Sequence, residues 1–159
     1  MTERRDVIRI VPYDPAWGTS FSEQARVLSP LLQKHLVRPI EHMGSTSIPG
    51  LAAKAIIDML AVVANIDDVA TNVLDRAGWV FAPEPNDAAA RKLSFCHPSI
   101  AMRTHHLHVV EEQSDDWRGW LAFRDRLCVD RETRDEYAEL KRDLADRFGA
   151  DPNSRDAYR

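Results

Sequence analysis

Cysteine is scarce. Cys96 and Cys128 are the two thiols in 159 residues, and they form no C-x-x-C pair. That excludes a zinc knuckle or a dithiol redox motif, both of which need thiols close in sequence. Each lies in apolar surroundings, so two buried thiols in a reducing compartment are expected. Long hydrophobic runs are also lacking. The longest, around Ile56 to Ala64, is interrupted by Asp58 and falls far short of the roughly 20 apolar residues that span a bilayer. Met-Thr-Glu-Arg-Arg at the start leads into a short strand pattern and not into an apolar signal segment, so a cytoplasmic, membrane-free protein is expected. Excess positive charge is absent as well. The formal net charge is −4, which argues against nucleic-acid binding, since that requires a basic field and stacking aromatics. A small basic pocket is compatible with that net charge.

What is present describes an ordinary globular chain: 44% apolar and 29% charged residues, with no repeat and no low-complexity linker. Residues 1–159 suit one domain. Val7 to Val11 reads as a strand ended by Pro12. Asp14-Pro15 then starts a helix that carries Trp17, Phe21, Ala25, Leu28, Leu32 and Leu36 at helical spacing and runs to about His35. Val37 to Met43 predicts a second strand, and Ser45 to Leu51 a turn with a short helical piece. Ala55 to Val63 is a β-branched run suited to a central strand buried on both faces.

Asn65 to Ala77 predicts a helix with Gly78 as its left-handed cap, and Trp79 begins another strand. Residues 83–90 predict a mobile loop. Arg91 to Cys96 and Thr104 to Val110 form an expected antiparallel pair. Helices follow, one capped by Ser114 with Trp117, Trp120, Leu121 and Leu127, and one over Arg131 to Phe148; residues 150–159 are polar and expected to fray. Helices mixed with parallel and antiparallel strands imply an α/β (α+β) domain on a mixed sheet.

Three segments carry chemistry. In Glu41-His42-Met43-Gly44-Ser45-Thr46-Ser47 a strand ends in glycine before hydroxyl residues and a helical start, an arrangement that suits either a phosphate or a simple capped turn. It is not a P-loop, because the lysine–hydroxyl ending is missing. In Lys54-Ala55-Ile56-Ile57-Asp58 the carboxylate sits inside a buried run, where an unpaired charge costs several kcal/mol in order of magnitude. Asp58 therefore meets a metal, a basic partner or a hydrogen-bond network, or lies near a strand end. Lys54, four residues away, would share its strand face, so an ion pair is one such solution. In Thr104-His105-His106-Leu107-His108, His106 and His108 project to one face of a strand. Adjacent imidazoles are poor core material and suit divalent-metal ligation or acid–base work. Nearby cations are Lys54, Arg91, Lys92 and Arg103, with Arg124 and Lys141 set on helices of alternating charge.

Together the segments resemble the GrpB family. The matching stretches are Ile10 to Trp17, Ile40 to Lys54, Ile56-Ile57-Asp58, Thr104 to Val109, Leu121 to Asp125 and Tyr137-Ala138-x-Leu140-Lys141. The resemblance implies a nucleotidyltransferase-like fold in which Gly44 and Ser45 form the phosphate turn; beside it Thr46 is expected to share the phosphate, Lys54 and Arg91 to neutralise it, and Glu41 or His42 to support the site. It also implies a first metal carboxylate at Asp58. The second carboxylate such enzymes place two residues on is Leu60 here, which argues against a two-metal clamp and leaves either one ion (Mg, Mn or Zn) on Asp58, His106 and His108 or none. The implied ligand is a nucleotide or other phosphorylated small molecule, and the implied reaction nucleotidyl or phosphoryl transfer. Relatives fused to dephospho-CoA kinase imply a different role, that of a non-catalytic folding-accessory or partner domain.

Overall fold

One strand with apolar residues on both faces organises residues 8–149, the part described by the computed structural model. In chain order the elements are β1 (Ile10–Val11), α1 (Ala16–Leu32), β2 (Glu41–Met43), β3 (Ala53–Lys54) and β4 (Ile57–Val63). There follow β5 (Val80–Phe81), β6 (Lys92–His97), β7 (His105–Glu111), α2 (Asp116–Val129) and α3 (Arg131–Phe148). Side chains alternate across a strand. On β4, Ile57, Met59, Ala61 and Val63 join Trp17, Leu28 and Leu32 of α1 in one core. Leu60 and Val62 join Trp117 and Leu121 of α2 in the other. A third cluster, Ile48, Leu51, Leu127, Ala138 and Tyr137, ties α2 and α3 to the turn after β2.

The main sheet has five strands in the order β2-β4-β7-β6-β5, and β1 pairs β3 in a separate two-stranded sheet. Only β4 and β7 are parallel; β2–β4, β7–β6 and β6–β5 are antiparallel. The molecule is thus the expected α+β domain on a mixed sheet, with α1 on one face and α2 on the other. Among the described residues, no helix is long and apolar enough to cross a membrane.

Several expected elements changed. The helix over Asn65 to Ala77 is replaced by two short 3-10 turns, Ile66–Asp68 and Asp75–Ala77. Asn65 Oδ1 accepts from Asp67 N at 3.1 Å and Glu111 Oε1 accepts from Ile66 N at 3.1 Å. Both bonds cap the first turn, which ends where the chain becomes extended at Val69 (φ −92°, ψ 105°). Gly78 does take the left-handed conformation, φ 74°. The strand over Val37 to Met43 shrinks to Glu41–Met43, and α1 stops at Leu32, short of His35. Asp14 caps α1, its Oδ1 accepting from Ala16 N at 2.9 Å. Ser114 does not cap α2; its N–H bonds Glu111 O, and Asp115 precedes the helix.

Lys54 leaves the β4 strand altogether. It pairs with Ile10 in the small sheet, so it and Asp58 do not share one strand face. Within the 83–90 loop, Asp87 Oδ2 accepts from Glu84 N at 2.8 Å. Cys96 is buried as expected, but Cys128 is exposed because it falls on the outer side of α2. Val7 and the fraying expected at 150–159 lie outside the described residues.

Leu28 is fully buried between α1 and the sheet. Leu28→Ala is expected to cost about 2–5 kcal/mol, the usual range for a buried leucine. Urea unfolding of both proteins measures it.

Candidate metal centre

Parallel pairing of β4 with β7 brings Asp58 opposite His106 and Leu60 opposite His108. All four side chains lie on the α2 face. Asp58 is the second residue of β4, so the carboxylate sits near the strand end, and its side chain is 31% exposed. Asp58 Oδ1 lies 3.6 Å from His106 Nδ1 and 3.5 Å from His108 Nε2. The three donor atoms fall within 4.8 Å of one another. These gaps are long for direct hydrogen bonds. They approach the roughly 3.4 Å edge of a tetrahedron whose centre is about 2.0–2.1 Å from each ligand, the spacing of zinc bound by imidazole and carboxylate. The two rings stand 4.0 Å apart, and His108 also packs near Trp120.

The surroundings leave polar capacity open. His108 Nδ1 and Ser94 Oγ are buried without a hydrogen-bond partner, on directly opposed residues of β7 and β6. An orphaned buried polar group costs about 1–3 kcal/mol, and in native proteins it often marks a functional site. Burial, helped by the neighbouring His108, lowers the His106 pKa to about 4 against the opposing pull of Asp58. Burial alone would raise Asp58, but the two facing histidines together hold it well below the usual carboxylate range. A metal needs this ionised carboxylate and this neutral imidazole at His106.

The turn after β2 is built against the carboxylate. Gly44 has φ 71°, and a Cβ there would come within 2.6 Å of Asp58 Oδ2. Only glycine permits both the conformation and the approach. Ser45 begins a three-residue 3-10 turn and is hydrogen-bonded to Tyr137 of α3. Thr46 is buried; its hydroxyl meets His42 Nε2 at 3.0 Å and donates to Ile56 O at 3.3 Å. His42 stacks on Phe21 of α1, on the face of the sheet away from His106. Glu41 is clamped by Arg38 and Arg124, each at 2.8 Å, and Arg124 also donates to His42 O. Glu41, His42 and Thr46 thus hold the turn in place.

The last helix closes the site. Burial raises the Tyr137 pKa and lowers that of Lys141, and the Asp58 charge acts on both groups. Lys141 Nζ lies 5.7 Å from the Tyr137 ring centre, whose edge contacts Phe123. In the sequence Lys141 is one of many charges on its helix, a weak signal for a site residue. The matching Tyr-x-x-Leu-Lys stretch was the available signal. Arg91, in contrast, is not brought to Asp58. It pairs with Glu111 at 2.7 Å and Asp67 at 2.9 Å. Glu111 closes the far end of β7, roughly 16 Å from His106 at the usual strand rise. Lys54 stands on β3, outside the β4 strand. A cavity of about 610 Å³ between the β1 segment and α3 contains none of the triad.

The sequence profile of the family described as GrpB protein matches residues 7–159. The chain belongs to the GrpB family. It is 35% identical over 140 residues to a UPF0157 protein of Halalkalibacterium halodurans, covering 87% of this chain and 69% of that one. The crystal structure of the conserved protein GrpB from Enterococcus faecalis has a TM-score of 0.78 at 31% identity, covering 94% of this chain and 92% of that one. A dephospho-CoA kinase of Mycolicibacterium paratuberculosis is 27% identical over 190 residues, covering 98% of this chain. This GrpB chain spans 46% of that kinase's length.

His42 supplies a pH test of the turn. Burial, with the neighbouring Arg124 and His105 charges, lowers its pKa from 6.5 to about 4 against the pull of Asp58. The stabilisation from keeping it neutral is complete above pH 6.5 and is lost as pH falls towards about 4. Urea midpoints should therefore drop across that window. His42→Gln should flatten the decline without abolishing it, because His106 titrates in the same range.

Proposed function

We propose that this GrpB domain is a cytoplasmic binding domain for a phosphorylated small molecule, a nucleotide, held beside one divalent ion. The observation that carries the reading is the convergence of Asp58 with His106 and His108, one carboxylate oxygen within 3.6 Å of an imidazole nitrogen on each ring. Two nitrogen donors and one oxygen suit zinc or manganese better than magnesium, which prefers an all-oxygen octahedron. The ion would supply Lewis-acid polarisation of a phosphate oxygen.

The chain's own residues do the rest. Gly44 keeps the turn clear of Asp58, while Ser45 and Tyr137 offer hydroxyls. Lys141, which lies in the field of Asp58, offers a cation. Leu60, buried in the α2 core, leaves no second carboxylate, so a one-ion site follows. Nucleotidyl or phosphoryl transfer is the reaction class such a site suits.

A second reading draws on the kinase match: a non-catalytic partner or folding-accessory domain for dephospho-CoA kinase. It predicts that raising the yield of folded kinase in a co-refolding assay does not depend on Asp58.

Thermal unfolding tests the first reading. A ligand of the folded state at one hundred times its Kd adds about 2.7 kcal/mol of stability. Zinc or manganese should raise the wild-type midpoint, and magnesium should do so less. Asp58→Ala should abolish the metal shift, and the nucleotide shift with it. Lys141→Ala should retain the metal shift and lose most of the nucleotide shift. Equal shifts in wild type and Asp58→Ala would refute the site.

A further inference from the structure

We infer that Glu84 is a positioning residue for this centre: its carboxylate faces His106 Nε2 and keeps that ring with Nδ1 turned to Asp58. The inference rests on the proposed metal site and concerns how the imidazole is held there. A neutral imidazole carries one proton, so a ring that binds an ion through Nδ1 must carry its proton on Nε2. His106 is 4% exposed, and Nε2 makes no hydrogen bond. Glu84 Oε1 stands 3.8 Å from it, on the opposite side of the ring from Asp58.

A glutamate in a loop has no need to be inside. Here its side chain is 8% exposed, which is costly without cations nearby. Lys92 Nζ lies 3.5 Å from Oε2 and Arg103 Nη1 4.0 Å from Oε1. Lys92 also meets Asp87 at 3.0 Å, and Asp87 in turn accepts from Glu84 N. The loop, the start of β6 and the residues before β7 therefore converge on one buried carboxylate behind a candidate ligand. In metal sites a carboxylate in this place fixes the tautomer and raises the basicity of the ligating nitrogen.

Imidazole ¹⁵N NMR on metal-free protein, together with zinc titration, tests the inference in wild type, Glu84→Gln and Glu84→Asp. Wild-type His106 should show the Nε2–H tautomer. Glu84→Gln should redistribute the proton towards Nδ1 and weaken zinc binding about 10–100-fold, and Glu84→Asp should recover part of both. An Nδ1–H tautomer in wild type, or a folded Glu84→Gln with unchanged tautomer and zinc affinity, overturns the inference. Wild type that binds no zinc sinks the metal reading instead, and the metal-free tautomers still decide what Glu84 does.

Discussion

The parallel pairing of β4 with β7 is the constraint on which the rest depends. It is the one parallel contact in the main sheet among the described residues, and a slip of one residue would send His106 and His108 to the α1 face. That register is held from both sides. Met59, Ala61, Leu107 and Val109 lock it against α1, and Leu60, Val62 and Val110 lock it against α2. With the apolar residues committed, the polar ones have no alternative position. Asp58 and the two histidines must meet at the end of the strand pair, beyond the cover of Trp117 and Leu121.

The turn after β2, the last helix and the 83–90 loop then treat that meeting point as a common target. Gly44 exists as glycine because Asp58 stands against it. Tyr137 and Lys141 arrive from α3, whose Ala138 packs with Ile48 and Leu51 of the same turn. Glu84 arrives from behind His106. The cluster is thus partly exposed on the Asp58 side and buried on the His106 side. A family resemblance to nucleotidyltransferases brings with it the idea of two ions. In this chain the place of the second carboxylate is filled by a core leucine, and two imidazoles stand beside Asp58.

The parts of this arrangement legible in the sequence were the local ones. Strand alternation put His106 and His108 on one face, and apolar spacing located α1 and α3, the latter with the observed bounds. The β6–β7 pair was legible because its partners are close in the chain. The charge in the middle of a β-branched run marked Asp58 as unusual, yet not which residues it would meet, since that depends on pairing across the whole 64–104 crossover. Lys54 shares no strand with Asp58, because β3 ends at Lys54 and β4 begins at Ile57, and Arg91 is held by Glu111 and Asp67. Asn65 to Ala77 looked helical by composition, but after one capped 3-10 turn the chain becomes extended at Val69. Glu84 could not be found at all from its loop, since each of the cations around it comes from elsewhere in the fold.

The most direct measurement is anomalous diffraction from crystals grown with zinc or manganese, collected above and below the metal edge. The account predicts one strong peak bonded to Asp58 Oδ1, His106 Nδ1 and His108 Nε2 at about 2.0–2.2 Å, absent in Asp58→Asn crystals grown the same way. A peak held by other residues, or no peak at a metal concentration that saturates the protein in solution, would contradict it.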